Sequence, residues 1–414
     1  MPPDLIAQAF RSQAAPVEFH GRWPAGRSIV NARPTKVAAV FGTRPEAIKM
    51  MPVLREIDAR GPAFTLCNII TSQHTDLLDP LLRRFQLQSH HCLNVLRPGQ
   101  TLDQLLSRLL AALDAVLEEA SPDLLLVQGD TTSALAGGLA GHHHKIPVAH
   151  IEAGLRSGSR FSPFPEEMNR RLITQLATYH MAATPSNVQT LLAEGVPPER
   201  VFLTGNPIVD ALQIVLASSP PSDQLHALLQ ELEGQRIIVL TSHRRENSGD
   251  TMRGYFAVLR DFIARHSNVT LVFPVHPNPA VRRECVRAGL AGPSIRLIDP
   301  LDYPDFLHLL RSAWLVVSDS GGIQEETPSL GKPLLVIREN TERPEAIDSG
   351  CARLVGKSPE TLAMMLDELA ADDTWIRGVQ ATVNPFGNGN SAKAIVDALT
   401  NVIDPIETRS SIAS

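Results

Sequence analysis

Three carboxylates stand where they can act on one substrate. Asp130 closes the apolar run LLLVQGD and precedes Thr131-Thr132, Glu152 holds the corresponding place one run later in HIEAG, and Glu166 follows in SPFPEEMNRR. Neighbouring strand ends can bring the first two of these carboxylates together. Each has an ordinary explanation when taken alone: Asp130 as a helix N-cap, Glu152 as the partner of Arg156. Their joint placement reads as a site.

Cations and glycines supply the second half of a chemistry. In FGTRPEAIK, Arg44 and Lys49 follow a strand ending in Gly42, with Pro45 suited to a helix start. Helix-end amides and two cations suit a diphosphate, although most such pairs are solvated surface charges. VSDSGGIQEE repeats the layout, with Ser320, Gly321 and Gly322 letting backbone approach an anion and Glu326 placed to accept hydrogen bonds from ribose hydroxyls. Glu325 is expected to support the same helix start as a capping residue. His243, in TSHRREN, is expected to end a strand in a place that lets it face the carboxylates, and beside phosphate it can carry charge near neutral pH. Lys332 and His276 are adequately explained by loop chemistry.

Several other signals are weaker than they look. Gly387, Gly389 and Ala392 match a dinucleotide fingerprint, but no strand precedes them, so NAD is not expected. His142, His143 and His144 are adjacent on one helix and point in different directions, so no metal is expected. The net charge of -6 argues against nucleic acid and against an anionic membrane surface. No apolar run reaches the roughly 18 to 20 residues that span a bilayer. The four cysteines are widely spaced and no secretory segment opens the chain, which fits a reducing cytoplasm.

The elements that must position these groups follow from periodicity. From Lys36 onward, short β-branched runs alternate with helical patterns, which implies an α/β class with parallel sheets covered on both faces. The pattern weakens between about Pro207 and Gly234 and then restarts, so an interdomain connection is expected there. The expected division is a loosely ordered extension over 1–34, Rossmann-like domains over 35–206 and 207–385, and a helix within 386–414 that packs back towards the first domain. Doubly wound sheets bind ligands beyond their carboxyl strand ends, so two facing rims make a cleft.

The strings FGTRPEAIKMMPV, HIEAGLRSG, SPFPEEMNRR, TSHRREN, DSGGIQEETPSLGKP and TERPEA resemble the non-hydrolysing UDP-N-acetylglucosamine 2-epimerases, in order, from about Lys36 to Asn390. The resemblance implies a glycosyltransferase-B-like pair of domains, a UDP-sugar substrate, no added cofactor and a homodimer. It gives Arg44, Lys49, Arg343 and the 320–326 segment to the nucleotide, Asp130, Glu152 and Glu166 to acid and base work, and His243 to diphosphate contact and catalysis. Leu301 and Phe306 match positions that contact uridine. Gln73 and His74 match an allosteric motif, but the flanking Asp76 and Gly99 depart from what regulated relatives are expected to carry.

The same resemblance implies a mechanism. UDP leaves C1 as the proton leaves C2, a 2-acetamidoglucal waits in a closed cleft, and UDP adds back after proton delivery to the opposite face. Which carboxylate is acid and which is base stays open. A retaining glycosyltransferase of the same architecture, a hydrolysing epimerase, an epimerase for a UDP-diacetamido-uronic acid and a noncatalytic nucleotide-sugar sensor are the competing readings.

Overall fold

Strands whose every residue is apolar need cover on both faces, and such runs recur along this chain. The computed structural model describes residues 33–71, 78–242, 250–275 and 279–410. The expected extension therefore lies almost wholly outside the described residues. One parallel sheet has seven strands in the order β3-β2-β1-β4-β5-β6-β7. These are β1 (Thr35–Phe41), β2 (Phe64–Ile70), β3 (His91–Cys92), β4 (Leu124–Gln128), β5 (Val148–Ala153), β6 (Tyr179–Ala182) and β7 (Val201–Leu203). A second parallel sheet has six strands in the order β10-β9-β8-β11-β12-β13. Its strands are β8 (Arg236–Thr241), β9 (Val269–Pro274), β10 (Ile295–Ile298), β11 (Leu315–Ser318), β12 (Leu334–Val336) and β13 (Ala352–Leu354).

Both orders reverse direction once, between β1 and β4 and between β8 and β11. Crossover connections leave the sheet on opposite faces at such a point, which opens a crevice at the strand ends. Val40 pairs with Val127 and Thr241 with Ser318, so the loops after these strands are neighbours. The helices that carry the site are α1 (Arg44–Ala59), α2 (Thr132–His143), α3 (Glu166–Leu176), α4 (Pro207–Ser218), α5 (Tyr303–Ser312), α6 (Gly321–Ser329) and α7 (Ser391–Ser410).

The segment expected to be a weakly patterned connection carries two helices, α4 and Asp223–Glu231. Asn206 caps α4, whose Ile208, Val209, Leu212 and Val215 are buried. Those side chains lie in one apolar cluster with Val37 and Ala39 of the first sheet and Val239 and Val316 of the second. The apolar spacing was present in the sequence, but the flanking SSPPSD drew attention to a break. α7 packs on α1 and α4, with its first amides held by Asp210 and its Asp397 bonded to Arg60 at 2.7 Å.

α2 lies unusually close to the first sheet because of its glycines. A Cβ at Gly137 would meet Val127 Cγ1 at 2.7 Å, and one at Gly141 would meet Val148 Cγ2 at 2.5 Å. Gly141→Leu is therefore expected to destabilise the fold by about 1–3 kcal/mol through overpacking. A urea titration checks this: the midpoint falls while the slope with denaturant is unchanged.

Candidate active site

A cavity of about 570 Å³ lies against both rims. Arg44, Lys49, Asp130 and Glu152 line it from the first sheet, and Leu301, Phe306, Ser320, Gly322, Glu326 and Arg343 from the second. Arg44 sits at the start of α1 and is partly exposed, whereas Lys49, one turn further in, is 6% exposed.

Four buried charges cluster here, Lys49, Glu152 and Arg343 on the cavity wall and Glu325 behind them. Lys49 Nζ lies 2.6 Å from Glu152 Oε1 and 2.8 Å from Glu325 Oε2. Arg343 Nε donates to Glu325 Oε1 at 2.5 Å, and its Nη2 lies 3.6 Å from Glu152 Oε1. Arg343 also bonds Glu342, which pairs with Arg338 at 2.9 Å. Burial would raise the Glu152 carboxyl, but Lys49 and Arg343 hold it below the ordinary range. Glu325 goes the other way: burial, reinforced by Glu152, raises it against the pull of Arg343 and Lys49. Lys49 keeps its proton because Glu152 and Glu325 outweigh the effect of burial.

Glu152 reaches this cluster through unusual backbone. Its φ is 68°, and the pairing of β5 with β6 slips there, between Ile151 and Ala153. A left-handed non-glycine residue at a bulge costs on the order of 1–3 kcal/mol and re-aims its side chain. Gln128 donates to the other Glu152 oxygen. Two residues earlier, buried His150 donates from Nε2 to the Gly129 carbonyl at 2.7 Å, and burial pushes its pKa down to about 4. A neutral imidazole thus fixes the turn that presents Asp130.

Asp130 itself accepts from Arg170 of α3 at 2.5 Å, and its carbonyl accepts from Asn169 at 2.8 Å. It is not the cap of the following helix, because Thr131 fills that place. Glu46 ties this loop to the first one: its carboxylate accepts from the Gly42 and Thr43 amides at 3.0 and 2.7 Å and from the Thr131 hydroxyl at 2.6 Å.

On the opposite rim, Tyr303 donates to Glu326 Oε1 at 3.0 Å, and Arg44 lies over the Tyr303 ring at 5.9 Å. Burial raises Glu326 to about 7, with the Tyr303 hydrogen bond opposing and Glu325 adding to the shift. A Cβ at Gly321 would stand 2.6 Å from Arg343 Nη1, so this glycine admits Arg343 rather than lining the cavity.

The structure thus gathers Asp130 and Glu152 with the nucleotide-side candidates in one cavity. Glu166, at the start of α3, instead lines an adjoining cavity of about 260 Å³ that shares Asp130. His243, Gln73, His74 and His276 lie outside the described residues. Among the described residues no cluster of metal-ligating side chains occurs, and His144 pairs with Asp114 at 2.8 Å. One expectation is overturned: Glu325 is an ion-cluster member instead of a helix cap. The ordinary alternative for Glu152 also does not hold, because Arg156 pairs with Glu194. Sequence reasoning missed Glu46, Arg170 and Tyr303. The Thr43-x-x-Glu46 spacing is a capping-box signal and both bonds form, so Glu46 was findable. Arg170 and Tyr303 carried no comparable signal.

Two doubly wound sheets with a charged cavity at their facing switch points define the glycosyltransferase-B-like class of α/β proteins. The family model for UDP-N-acetylglucosamine 2-epimerase matches residues 55–400. A UDP-N-acetylglucosamine 2-epimerase from Yersinia pestis is 44% identical over 371 residues, 88% of this chain and 98% of that protein. A solved structure of a putative UDP-N-acetylglucosamine 2-epimerase from Listeria monocytogenes superposes with TM-score 0.86 at 38% identity, covering 90% of this chain and 98% of that one. The Neisseria meningitidis UDP-GlcNAc 2-epimerase, solved bound to UDP-GlcNAc, gives TM-score 0.82 at 38% identity, covering 88% of this chain and 100% of that one. The chain belongs to the UDP-N-acetylglucosamine 2-epimerase family and is an isomerase.

Glu326 makes stability depend on pH. An unfolded glutamate titrates near 4.5 and this one at about 7, so the fold holds the proton more tightly. The resulting stabilisation is full below the unfolded value and is lost as pH rises through 7; it amounts to roughly 3 kcal/mol. Glu326→Gln keeps an acceptor for Tyr303 and removes the titration. Urea midpoints are expected to favour the variant at about pH 8 and to converge with the wild type near about pH 5.

Proposed function

We propose that this isomerase interconverts UDP-N-acetylglucosamine and UDP-N-acetylmannosamine without releasing free sugar. The observation that carries the reading is the meeting of Asp130 and Glu152 with Arg44, Lys49, Ser320, Gly322 and Glu326 in one cavity. Leu301 and Phe306 take the base, Glu326 the ribose, and Arg44 with the α6 N-terminus the diphosphate. Support for the ligand comes from the Neisseria relative solved with UDP-GlcNAc.

The C2 hydrogen of an N-acetylhexosamine is not beside a carbonyl, so simple deprotonation is unfavourable. A carboxylate takes the C2 proton as the C1–O bond breaks, its electron pair leaving on the UDP oxygen, which yields a 2-acetamidoglucal and UDP. A carboxylic acid then protonates C2 on the other face while the UDP oxygen reforms the bond to C1. The cations neutralise the departing diphosphate, and the buried setting strengthens that effect. Asp130 and Glu152 serve as acid and base in an order left open, Glu166 assists from the adjoining cavity, and His243 contacts the diphosphate. The enzyme works as a cytoplasmic homodimer, with Gln73 and His74 as candidate effector residues and no cofactor.

Proton NMR of the enzyme with UDP-N-acetylglucosamine in heavy water is the direct check. Deuterium is expected at C2 of both epimers, with no free sugar. Asp130→Asn and Glu152→Gln are expected to slow turnover on the order of 100-fold or more while UDP still binds. Epimer without deuterium overturns the elimination route, and inertness without an acceptor sugar favours glycosyl transfer.

A further inference from the structure

Glu325 has no assigned part in the reaction, yet it joins the two halves of the cleft through a buried ion pair with Lys49. It stands on α6, behind Glu326, and is fully buried. Its two oxygens take different cations: Oε1 receives Arg343 Nε at 2.5 Å and Oε2 faces Lys49 Nζ at 2.8 Å. Both cations also approach the same oxygen of Glu152, at 2.6 Å for Lys49 and 3.6 Å for Arg343. Gly321 is what allows Arg343 this position. The elements packed around Glu325 contribute Lys49 from α1, Glu152 from β5, Glu326 from α6 itself, Tyr303 from α5, and Arg343 with Glu342 from the loop before Pro344.

We propose that Glu325 is a positioning residue for the epimerisation, holding Lys49 and Arg343 against Glu152 so that the carboxylate and cations meet the sugar in one fixed geometry. The inference rests on the proposed reaction. Glu325 does not line the cavity, so it acts through its neighbours. Lys49 and Arg343 repel one another, and two carboxylates are needed to keep both at the cavity wall. With Glu325 neutralised, the cations lose their shared anchor and crowd Glu152 or swing towards diphosphate. Proton transfer then suffers, whereas nucleotide binding does not.

The test compares wild type, Glu325→Gln and Glu325→Asp. It measures kcat and KM for UDP-N-acetylglucosamine, the rate of C2 deuterium uptake, UDP affinity by calorimetry, and the melting temperature. Glu325→Gln is expected to lower kcat and deuterium uptake together by about tenfold or more, with KM and UDP affinity within about threefold of wild type. Glu325→Asp, which keeps the charge on a shorter arm, is expected to recover part of kcat and guards against a Gln variant that does not fold. A kcat within about twofold of wild type for Glu325→Gln overturns the proposal. So does a loss of kcat matched by loss of UDP binding and of melting temperature in both variants, which marks a purely structural role. Wild type separates the two levels: inertness there overturns the reaction and the inference with it, whereas an active wild type with an unaffected Gln variant overturns the inference alone.

Discussion

A buried charge is tolerated only among partners, and this fold is organised around that rule at the junction of its two sheets. Lys49, Glu152, Glu325 and Arg343 are all nearly inaccessible to water. Removing one member of such a group typically costs about 3–5 kcal/mol, because the others stay buried without compensation. Each of the four comes from a different element, so their mutual satisfaction requires α1, β5, α6 and the loop before Pro344 to sit in one arrangement. The left-handed backbone of Glu152 and the bare Cα of Gly321 are local concessions to that arrangement.

The architecture was legible because it rests on local signals. Continuous apolar runs such as LLLV mark strands buried on both faces, and the helical patterns between them demand parallel crossovers. Once the sheets are doubly wound, ligand chemistry belongs at the switch points, and GTR, GDTT and DSGG sit there. The stretch from Pro207 to Gly234 was harder to read, because turn residues at SSPPSD hid two helices whose burial depends on both sheets.

Candidate residues were legible by type and place, but their pairings were not. Asp130 and Glu152 were read correctly as neighbours at adjacent strand ends, which follows from the order of β4 and β5. Glu152 and Lys49 lie 103 positions apart, and nothing local links them. Glu325 offered a local explanation, helix capping, that its long-range partners override. Arg156 was the nearby choice for Glu152, yet the left-handed turn at Glu152 sends its carboxylate to Lys49 and leaves Arg156 to Glu194. Spacing along the chain reports contacts within an element; contacts across a cleft depend on where the chain returns.

The same cluster explains how a site for an anion can be stable before the anion arrives. Two bare cations at the cavity wall would repel each other, and two carboxylates balance them. The balance is uneven, because burial and Glu152 together favour a proton on Glu325, while Lys49 and Arg343 keep Glu152 ionised. Glu325 thus bears the greater cost of ionisation, while both cations hold Glu152 ionised. One pair of glutamates sharing two cations thus separates a carboxylate kept for chemistry from one kept for charge balance.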